Sequence, residues 1–254
     1  MLITTKNKEY IKKSEEEYIK MFWVGLMDGD GSIQVNHWKC KSLQYRLVIK
    51  LSNINSNYNM LIKIQKVIGG SVRITGKSKD VIWVVNDKKT IQKIILIFDI
   101  YPPLTSKKIC QLEFLKKCLF ENSVDWYLLN RDSKYNNQST IINSFESKGD
   151  NYFFKDPNYF KEWLSGFVEA EGCFSIRKSN NHSFSIGQKY DYYLINAIKQ
   201  LFGVSNMVRK PYPNFYSLEI YKKETLKNII IHFNNYPLYG EKAESFQIFI
   251  QKFK

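Results

Sequence analysis

The chain has few of the residues that build zinc sites and redox centres. Its 254 residues include only four cysteines and three histidines. The cysteines are irregularly spaced and form no C-x-x-C pair, which argues against a zinc ribbon or a dithiol motif. The histidines form no H-E-x-x-H pattern, the signature of a zinc protease. We therefore expect a reduced protein with buried thiols.

Long apolar runs are also absent from the sequence. No segment approaches the roughly 18 apolar residues that are needed to cross a bilayer. The segment Met1–Tyr18 has mixed charge, and it lacks the apolar core of a secretory signal. We expect no membrane partner, and we predict a capping arm or a short helix at the amino terminus.

Acidic residues are outnumbered, with 24 Asp and Glu against 38 Lys and Arg, so the net charge is +14. This excess favours a polyanionic partner, most simply nucleic acid. A solubilising coat without a specific partner is the alternative. Only 5 of the 38 basic residues are arginine, a bias that indicates the codon usage of an AT-rich genome. We therefore expect an organellar protein, with the mitochondrion as its location.

The sequence contains two similar halves, and its 44% of hydrophobic residues suffice for a core. Lys88–Lys107 matches Lys223–Lys242 without a gap, at a constant shift of 135, and both segments contain Tyr-Pro. Upstream, Trp23–Gly31 matches Leu164–Gly172 at a shift of 141. We assign residues 1–118 and 159–254 to the two halves. Residues 119–158 are polar and are predicted to be a linker with one short helix at most.

Each half shows the same series of patterns, which predicts an α+β fold. A short apolar helix ends in acid-Gly and is followed by two alternating strands, a helix closed by glycine, and a second hairpin. A helix then runs to Tyr-Pro, and a last helix follows. Alternation with period two predicts sheets with one buried face and one polar face.

The polar faces of these sheets are candidates for a DNA-binding surface, although solvent alone is the usual occupant of such a face. Their amides, hydroxyls and cations are suited to base edges and phosphates, and a two-stranded ribbon fits the major groove. Trp38, in the loop after the first strand, either stacks at the outer bases or anchors its own loop. The candidate contacts are Gln34, Asn36, Trp38, Gln44, Arg46, Lys50, Arg73, Thr75, Ser175, Arg177, Ser183, Ser185 and Arg209.

Acidic residues close both apolar helices, although the carboxyl end of a helix disfavours negative charge. Each helix also carries two small residues four positions apart, Gly25 and Gly29 in the first and Gly166 and Ala170 in the second. Small residues on one face let two helices pack closely. If these helices pair, Asp30 and Glu171 meet and favour a hard divalent cation such as Mg²⁺. Glycine caps with incidental surface acids are the alternative.

The two motifs, WVGLMDGDG and LSGFVEAEG, resemble those of the LAGLIDADG homing endonucleases, in the branch that carries two motifs on one chain. The resemblance covers nearly the whole sequence. It implies two pseudo-twofold related αββαββα halves, with the motif helices at the interface and two antiparallel sheets that form a saddle over DNA.

The resemblance also assigns roles to individual residues. It implies that Asp30 and Glu171 bind the metal, and the adjacent backbone of Gly29 and Ala170 joins the predicted metal site. The earlier acids, Asp28 and Glu169, correspond to structural positions. Lys107 and Lys242 match a basic position beside the active site, where a merely solvated lysine is the alternative. Asn53 and Gln188 match a polar position near the metal.

The activity implied is the hydrolysis of one phosphodiester in each strand of a long, non-palindromic DNA, leaving short 3′ overhangs. Two or three Mg²⁺ ions are expected; Mn²⁺ should substitute, and Ca²⁺ should bind without supporting cleavage. We expect a monomer with double-stranded DNA as its partner. The alternatives are an RNA maturase that acts on its own intron RNA, alone or in addition, and a DNA-binding regulator with an inactive nuclease core.

Overall fold

The computed structural model describes residues 3–149, 158–177 and 181–253, and it describes side chains from residue 15 onward. The first half is built in the order helix, hairpin, helix, hairpin, helix, helix. Its elements are α1 (Ile3–Gly29), β1 (Gly31–Trp38), β2 (Ser42–Ser52), α2 (Asn55–Ile68), β3 (Ser71–Thr75), β4 (Asp80–Val85), α3 (Lys88–Ile100) and α4 (Ser106–Glu121).

Between α4 and residue 149, the described residues form two helices and a 3-10 turn, and from residue 158 onward the order of the first half repeats. The connecting elements are α5 (Val124–Asn130), the turn Arg131–Ser133, and α6 (Gln138–Ser147). The second half consists of α7 (Phe160–Glu171), β5 (Gly172–Ile176), β6 (His182–Lys189), α8 (Tyr192–Leu201), β7 (Arg209–Tyr212), β8 (Phe215–Ile220), α9 (Lys223–Asn235) and α10 (Glu241–Lys252).

Each half contains one antiparallel four-stranded sheet, with the strand orders β1-β2-β4-β3 and β5-β6-β8-β7. The registers of the first hairpins correspond, because Gly31 pairs with Ile49 in one half and Gly172 pairs with Ile186 in the other. The predicted α+β fold with two repeats is therefore confirmed. Among the described residues, no helix is long and apolar enough to cross a membrane.

The two motif helices, α1 and α7, pack on each other through their glycines, as the fold prediction requires. A Cβ added to Gly25 would lie 1.9 Å from the carbonyl oxygen of Trp163. A Cβ added to Gly166 would lie 1.8 Å from the carbonyl oxygen of Phe22. Because only hydrogen fits at these two positions, the helix backbones touch, and the carboxyl ends of the helices are brought together.

The amino-terminal residues are helical, which was one of the two predicted alternatives, but they form no separate short helix because they continue directly into the motif helix. Helix α1 starts at Ile3 and has 27 residues. No glycine or proline interrupts residues 3–24, and many of these residues are Lys and Glu, which are good helix formers.

The linker also has more structure than its polar composition predicted. Helices α5 and α6 each anchor on the body of the protein through a buried residue, Tyr127 and Ile141 respectively. The ring of Phe145 stacks on Tyr193 with centroids 4.7 Å apart. Helix α4 continues to Glu121, past the predicted boundary at residue 118, and ends at Asn122 in the left-handed conformation.

The alternating pattern holds in the first sheet and fails partly in the second. Along β2, Leu47 and Ile49 are buried, while Arg46 and Lys50 are exposed. On β6, Ser183 was predicted to face DNA, yet only 5% of it is exposed. This strand lies between β5 and β8 in the interior of the sheet, where a short side chain keeps little exposed surface. The prediction of buried thiols was half wrong, because Cys110 and Cys118 are buried while Cys40 and Cys173 are exposed.

The contact between the helix backbones predicts a large loss of stability on adding one methyl group. We expect Gly25→Ala to lower the free energy of unfolding by about 3 kcal/mol or more, because the new Cβ collides with backbone that cannot move aside. Urea denaturation of the purified variant measures the change. The matched control is Gly203→Ala, where the space is open and φ is +65°; it should cost only about 1–2 kcal/mol. Equal losses in the two variants would contradict this packing.

Candidate active site

The two motif helices cross so that their carboxyl ends meet, and this brings the carboxylates of Asp30 and Glu171 together. Asp30 follows the last residue of α1, and its amide donates to the carbonyl of Leu26 at 3.0 Å. Glu171 is the last residue of α7. A Cβ added to Gly29 would lie 2.3 Å from the Cβ of Ala170 and 3.6 Å from Oε1 of Glu171. The predicted metal-binding residues therefore form one cluster, and Asp30 and Glu171 each keep a solvent-exposed surface although neighbouring residues partly cover them.

The surroundings of these acids oppose their negative charge. Burial by the neighbouring protein raises the pKa of Asp30, while Lys242 and Lys108 lower it. Burial also raises the pKa of Glu171, and the nearby charge of Asp30 raises it further. Two carboxylates in such a setting gain most from a bound cation.

The first acidic residue of each motif, Asp28 or Glu169, accepts hydrogen bonds from the backbone of the loop that follows Tyr-Pro. Asp28 is buried and accepts hydrogen bonds from the amides of Leu104 and Thr105 at 2.8 and 3.2 Å. It also accepts from the indole of Trp163 at 2.7 Å. These donors compensate a negative charge at the end of a helix, and they tie the motif to the start of α4.

Glu169 makes the same connection in the second half. It accepts from the amides of Tyr239 and Lys242 at 3.2 and 2.7 Å. Burial raises the pKa of Glu169, and these backbone hydrogen bonds lower it. Both acids thus position the turn on which the predicted active-site lysine lies.

The two predicted lysines lie near the acid pair but differ in exposure. Lys107 is exposed and lines a cleft of about 570 Å³ together with Glu171 and Gln188. Lys242 is half-buried, and its charge lowers the pKa of both Asp30 and Glu171.

A third lysine near the acid pair, Lys108, was not predicted from the comparison of the two halves. Only 5% of it is exposed, and its ammonium donates to the carbonyl of Gly31. Burial lowers its pKa to about 8, although Asp28 favours the charged form. The repeat gave no signal for it, because its counterpart, the position after Lys242, is Ala243. The acid pair therefore has an additional cation on one side.

The structure separates the two polar residues that were predicted to be equivalent. Gln188 lines the cleft. Asn53 instead donates to the carbonyl of Ser78 at 2.9 Å, in the turn between β3 and β4. The strand registers explain the error, because they make Leu51, two positions before Asn53, the counterpart of Gln188. Asn53 is therefore removed from the candidate active site.

Residues from the linker also reach this cleft. Tyr135 and Gln138 line it beside Gln111. The amide of Gln111 donates to the Tyr135 hydroxyl at 3.0 Å, and Gln138 donates to the Ser106 hydroxyl at 2.9 Å. Their contribution depends on how the linker packs, so neither the repeat nor the motif predicted it.

The candidate contacts of the first sheet form a groove at its outer end. Gln34, Asn36, Gln44 and Arg46 line this groove, which has a volume of about 460 Å³. Trp38 is 56% exposed, and the Lys39 ammonium lies 5.4 Å from its ring centroid. Further along the face, Lys50 pairs with Asp80 at 2.9 Å. Arg73 is exposed, and Thr75 is partly exposed.

The candidate contacts of the second sheet are organised around one acid. Glu219 pairs with Arg209 at 2.9 Å and with Arg177 at 3.6 Å. Arg177 also donates to the Tyr221 hydroxyl at 2.9 Å. Ser175 and Ser185 are partly exposed beside this cluster. Sequence analysis had singled out the two arginines but not the carboxylate that holds them.

Comparison with known proteins agrees with this geometry. The LAGLIDADG endonuclease family model matches residues 23–118 and 164–253. The probable intron-encoded endonuclease aI3 of Dictyostelium citrinum is 50% identical over 242 residues, covering 94% of this chain and 96% of that protein. The chain therefore belongs to the LAGLIDADG endonuclease family.

Two further matches define how far this likeness extends. The protein of the same name in Debaryomyces hansenii is 52% identical over 263 residues, but this chain spans only 38% of its length. The I-LtrWI LAGLIDADG homing endonuclease, solved bound to its target DNA, aligns with a TM-score of 0.68 and 22% identity over 94% of this chain and 90% of that one. At that identity the match shows a shared fold.

A buried carboxylate behind the cleft predicts an unusual dependence of stability on pH. Asp191 is fully buried and accepts from the Ser106 amide at 3.2 Å. Burial raises its pKa to about 7, against the ordinary 3.8. The folded state therefore binds the proton more tightly than the unfolded state, and this group's contribution to stability falls as pH rises from about 4 to 7.

Replacing Asp191 by Asn should remove this dependence while keeping one acceptor oxygen for the Ser106 amide. We expect the free energy of unfolding of Asp191→Asn, relative to the wild type, to rise by at least about 1 kcal/mol between pH 5 and pH 8. Urea denaturation at the two pH values measures the difference. A difference that stays constant, or that changes in the opposite direction, would contradict the raised pKa.

Proposed function

We propose that the chain is a site-specific DNA endonuclease that hydrolyses one phosphodiester in each strand of a long, non-palindromic duplex, leaving short 3′ overhangs. The observation that carries the proposal is the meeting of Asp30 and Glu171 at the point where the two halves join. The acid pair lies between two sheets whose outward side chains are largely polar or basic. This arrangement suits a polyanion that spans both halves.

The donor atoms at the acid pair fit a hard divalent cation, and Mg²⁺ is the proposed one. Asp30 and Glu171 would hold it, and the backbone of Gly29 and Ala170 is proposed to contribute further oxygen ligands. Within the described residues, no group of three or more His, Cys, Asp or Glu could hold a metal ion. DNA oxygens and water must therefore complete the coordination, as is usual for Mg²⁺. When bound, the ion activates water and stabilises the leaving oxygen.

The proposed number of ions is two or three. Mn²⁺ should replace Mg²⁺, because it accepts the same oxygen ligands. Ca²⁺ should bind without supporting cleavage, because its larger shell is less strictly ordered.

The chain's own residues supply positive charge and orientation around the reacting phosphates. Lys107 and Lys242 are placed to neutralise charge that develops on a phosphate, an effect that is strong in a preorganised site. Lys108 offsets the acids on one side. Gln188 is placed to orient water in the cleft. The reaction needs no covalent intermediate on the protein.

The outward faces of the two sheets are proposed to read the target. The first face presents amides and cations, of which Lys50 pairs with Asp80, whereas the second presents two arginines held by Glu219. Different side chains on the two halves favour a non-palindromic site. The relatives' names refer to introns, so we propose a monomeric, intron-encoded enzyme of the mitochondrion.

Separate substitution of the two acids tests the proposed chemistry. We expect Asp30→Asn and Glu171→Gln each to lower double-strand cleavage by on the order of 10²–10³ or more, because each removes a charged ligand. DNA binding in Ca²⁺ should be retained. Cleavage of a plasmid that contains the target is measured in Mg²⁺, and binding is measured by fluorescence anisotropy.

The control for these variants is Glu224→Gln, which removes an exposed acid from the first turn of α9 and should cleave normally. Undiminished double-strand cleavage by either site variant would reject the assignment. Splicing of the chain's own intron that survives both substitutions would reveal a separate maturase role.

The arginine cluster of the second sheet gives a prediction about DNA binding. Glu219→Gln releases Arg177 and Arg209 to nearby phosphates, so the slope of log affinity against log salt should steepen by roughly 1–2. Discrimination against non-target DNA should fall, because the arginines lose their fixed direction. Titrations of target and random duplexes between low and high salt measure both effects.

The matched control is Asp99→Asn, which changes the net charge equally and breaks an ion pair with Lys116 away from the sheets. If both variants shift the slope by the same amount, Glu219 has no role in ordering the arginines.

A further inference from the structure

Helices α4 and α10 begin directly before Lys107 and Lys242, and the amide at each helix start is bound by a side chain from the opposite half. In α4, Asp191 of the second half accepts from the amide and the hydroxyl of Ser106, at 3.2 and 2.5 Å. In α10, Asn57 of the first half accepts from the amide of Glu241 at 3.0 Å. Both of these side chains are buried.

A second pair of contacts binds the Tyr-Pro turns that precede these two helices, and its donors are tyrosines on or next to the motif helices. The hydroxyl of Tyr18, on α1 of the first half, donates to the carbonyl of Pro237 in the second half at 2.8 Å. The hydroxyl of Tyr159, beside α7 of the second half, donates to the carbonyl of Pro102 in the first half. Each Tyr-Pro turn is therefore held on both sides by residues of the other half.

The contacts are reciprocal because the repeat places them so. Tyr18 and Tyr159 are related by the same shift as the motifs. Asn57 and Asp191 lie at the start of corresponding helices, Asn57 as the third residue of α2 and Asp191 as the residue before α8. The turns do not cap themselves. Thr105 makes no side-chain cap to α4 and donates instead to Asp28, while Gly240 before α10 has no side chain. The helix starts that bear the lysines thus depend on the opposite half.

We propose that these four residues form a reciprocal latch that makes each cleavage centre depend on the opposite half. Asn57 and Tyr18 position Lys242, whereas Asp191 and Tyr159 position Lys107. The inference rests on the proposed endonuclease function, in which each lysine serves one strand. A displacement of about 1 Å in a positioned group can cost on the order of a hundredfold in rate. Loss of one side of the latch therefore slows one strand selectively.

The test follows the cleavage of each strand separately. A supercoiled plasmid and an end-labelled duplex, both containing a target selected for cleavage by the wild type, are incubated with Mg²⁺ and the full chain. We expect Asn57→Ala to slow one strand at least about tenfold and to accumulate nicked circles. We expect Asp191→Ala to slow the other strand by a similar factor. Asp191→Asn, which keeps an acceptor for Ser106, should restore near-normal cleavage of its strand.

Two further variants keep the test decisive if an alanine variant does not fold. Tyr18→Phe and Tyr159→Phe remove only a hydroxyl, and they should slow the same strands as Asn57→Ala and Asp191→Ala respectively. The matched control is Asp87→Ala, which removes the cap of α3 within its own half. It should lower stability by about 1 kcal/mol and leave the ratio of the two strand rates unchanged.

The possible outcomes separate the latch from the proposed function. Equal slowing of both strands in all latch variants, or unchanged rates in folded variants, would overturn the latch. Absence of any selected target for the wild type would overturn the endonuclease function, and the latch's catalytic role with it.

Discussion

The contact between the backbones of α1 and α7 is the constraint on which the rest of the structure depends. At Gly25 and Gly166 an added Cβ would lie 1.9 and 1.8 Å from the opposing carbonyl oxygen, so the helices approach as closely as their backbones allow. This approach brings Gly29 against Ala170 and places Asp30 beside Glu171. Helices with larger interface side chains would keep the two acids apart, and a shared cation between them would lose its ligands.

Negative charge at the carboxyl ends of the motif helices is locally unfavourable, and hydrogen bonds from other segments of the chain compensate for it. Asp28 and Glu169 lie where the helix dipole disfavours them, yet backbone amides of the Tyr-Pro loops bind them. The same loops start the helices that bear Lys107 and Lys242. The negative charges of Asp28 and Glu169 destabilise each motif helix taken alone. Through their hydrogen bonds to the loops, the same charges fix the positions of the lysines around the cleft. Among the described residues, no backbone amide binds the carboxylates of Asp30 and Glu171 in this way, so both acids are open to a ligand.

Much of the fold was predictable because the chain contains its pattern twice. The alternating strands, the helix that runs to Tyr-Pro and the acid pair each had a counterpart at a nearly constant shift. Lys108 was not predictable from the repeat, since its counterpart is Ala243. Asn53 was misplaced because the shift that relates the Tyr-Pro segments does not hold along the second strand, where the register makes Ile49 and Ile186 equivalent.

The features that sequence reasoning missed depend on packing between segments that are distant in the chain. The linker appeared irregular because polar residues surround its few anchoring side chains, Tyr127 and Ile141. The contacts of Asn57 and Asp191 with the opposite half have no local signature, because either residue would also be an ordinary choice near the start of a helix. Only the relative position of the halves shows what they bind.

The central claim, that the joined acid pair cleaves DNA at one defined site, is tested most directly by selection from a randomised duplex library. The full chain is incubated with the library in Mg²⁺, cleaved molecules are sequenced, and a parallel reaction contains Ca²⁺. We expect one enriched, non-palindromic target cut on both strands in Mg²⁺ and no cut products in Ca²⁺. Recovery of no enriched target, or equal cleavage by a chain carrying both Asp30→Asn and Glu171→Gln, would contradict it.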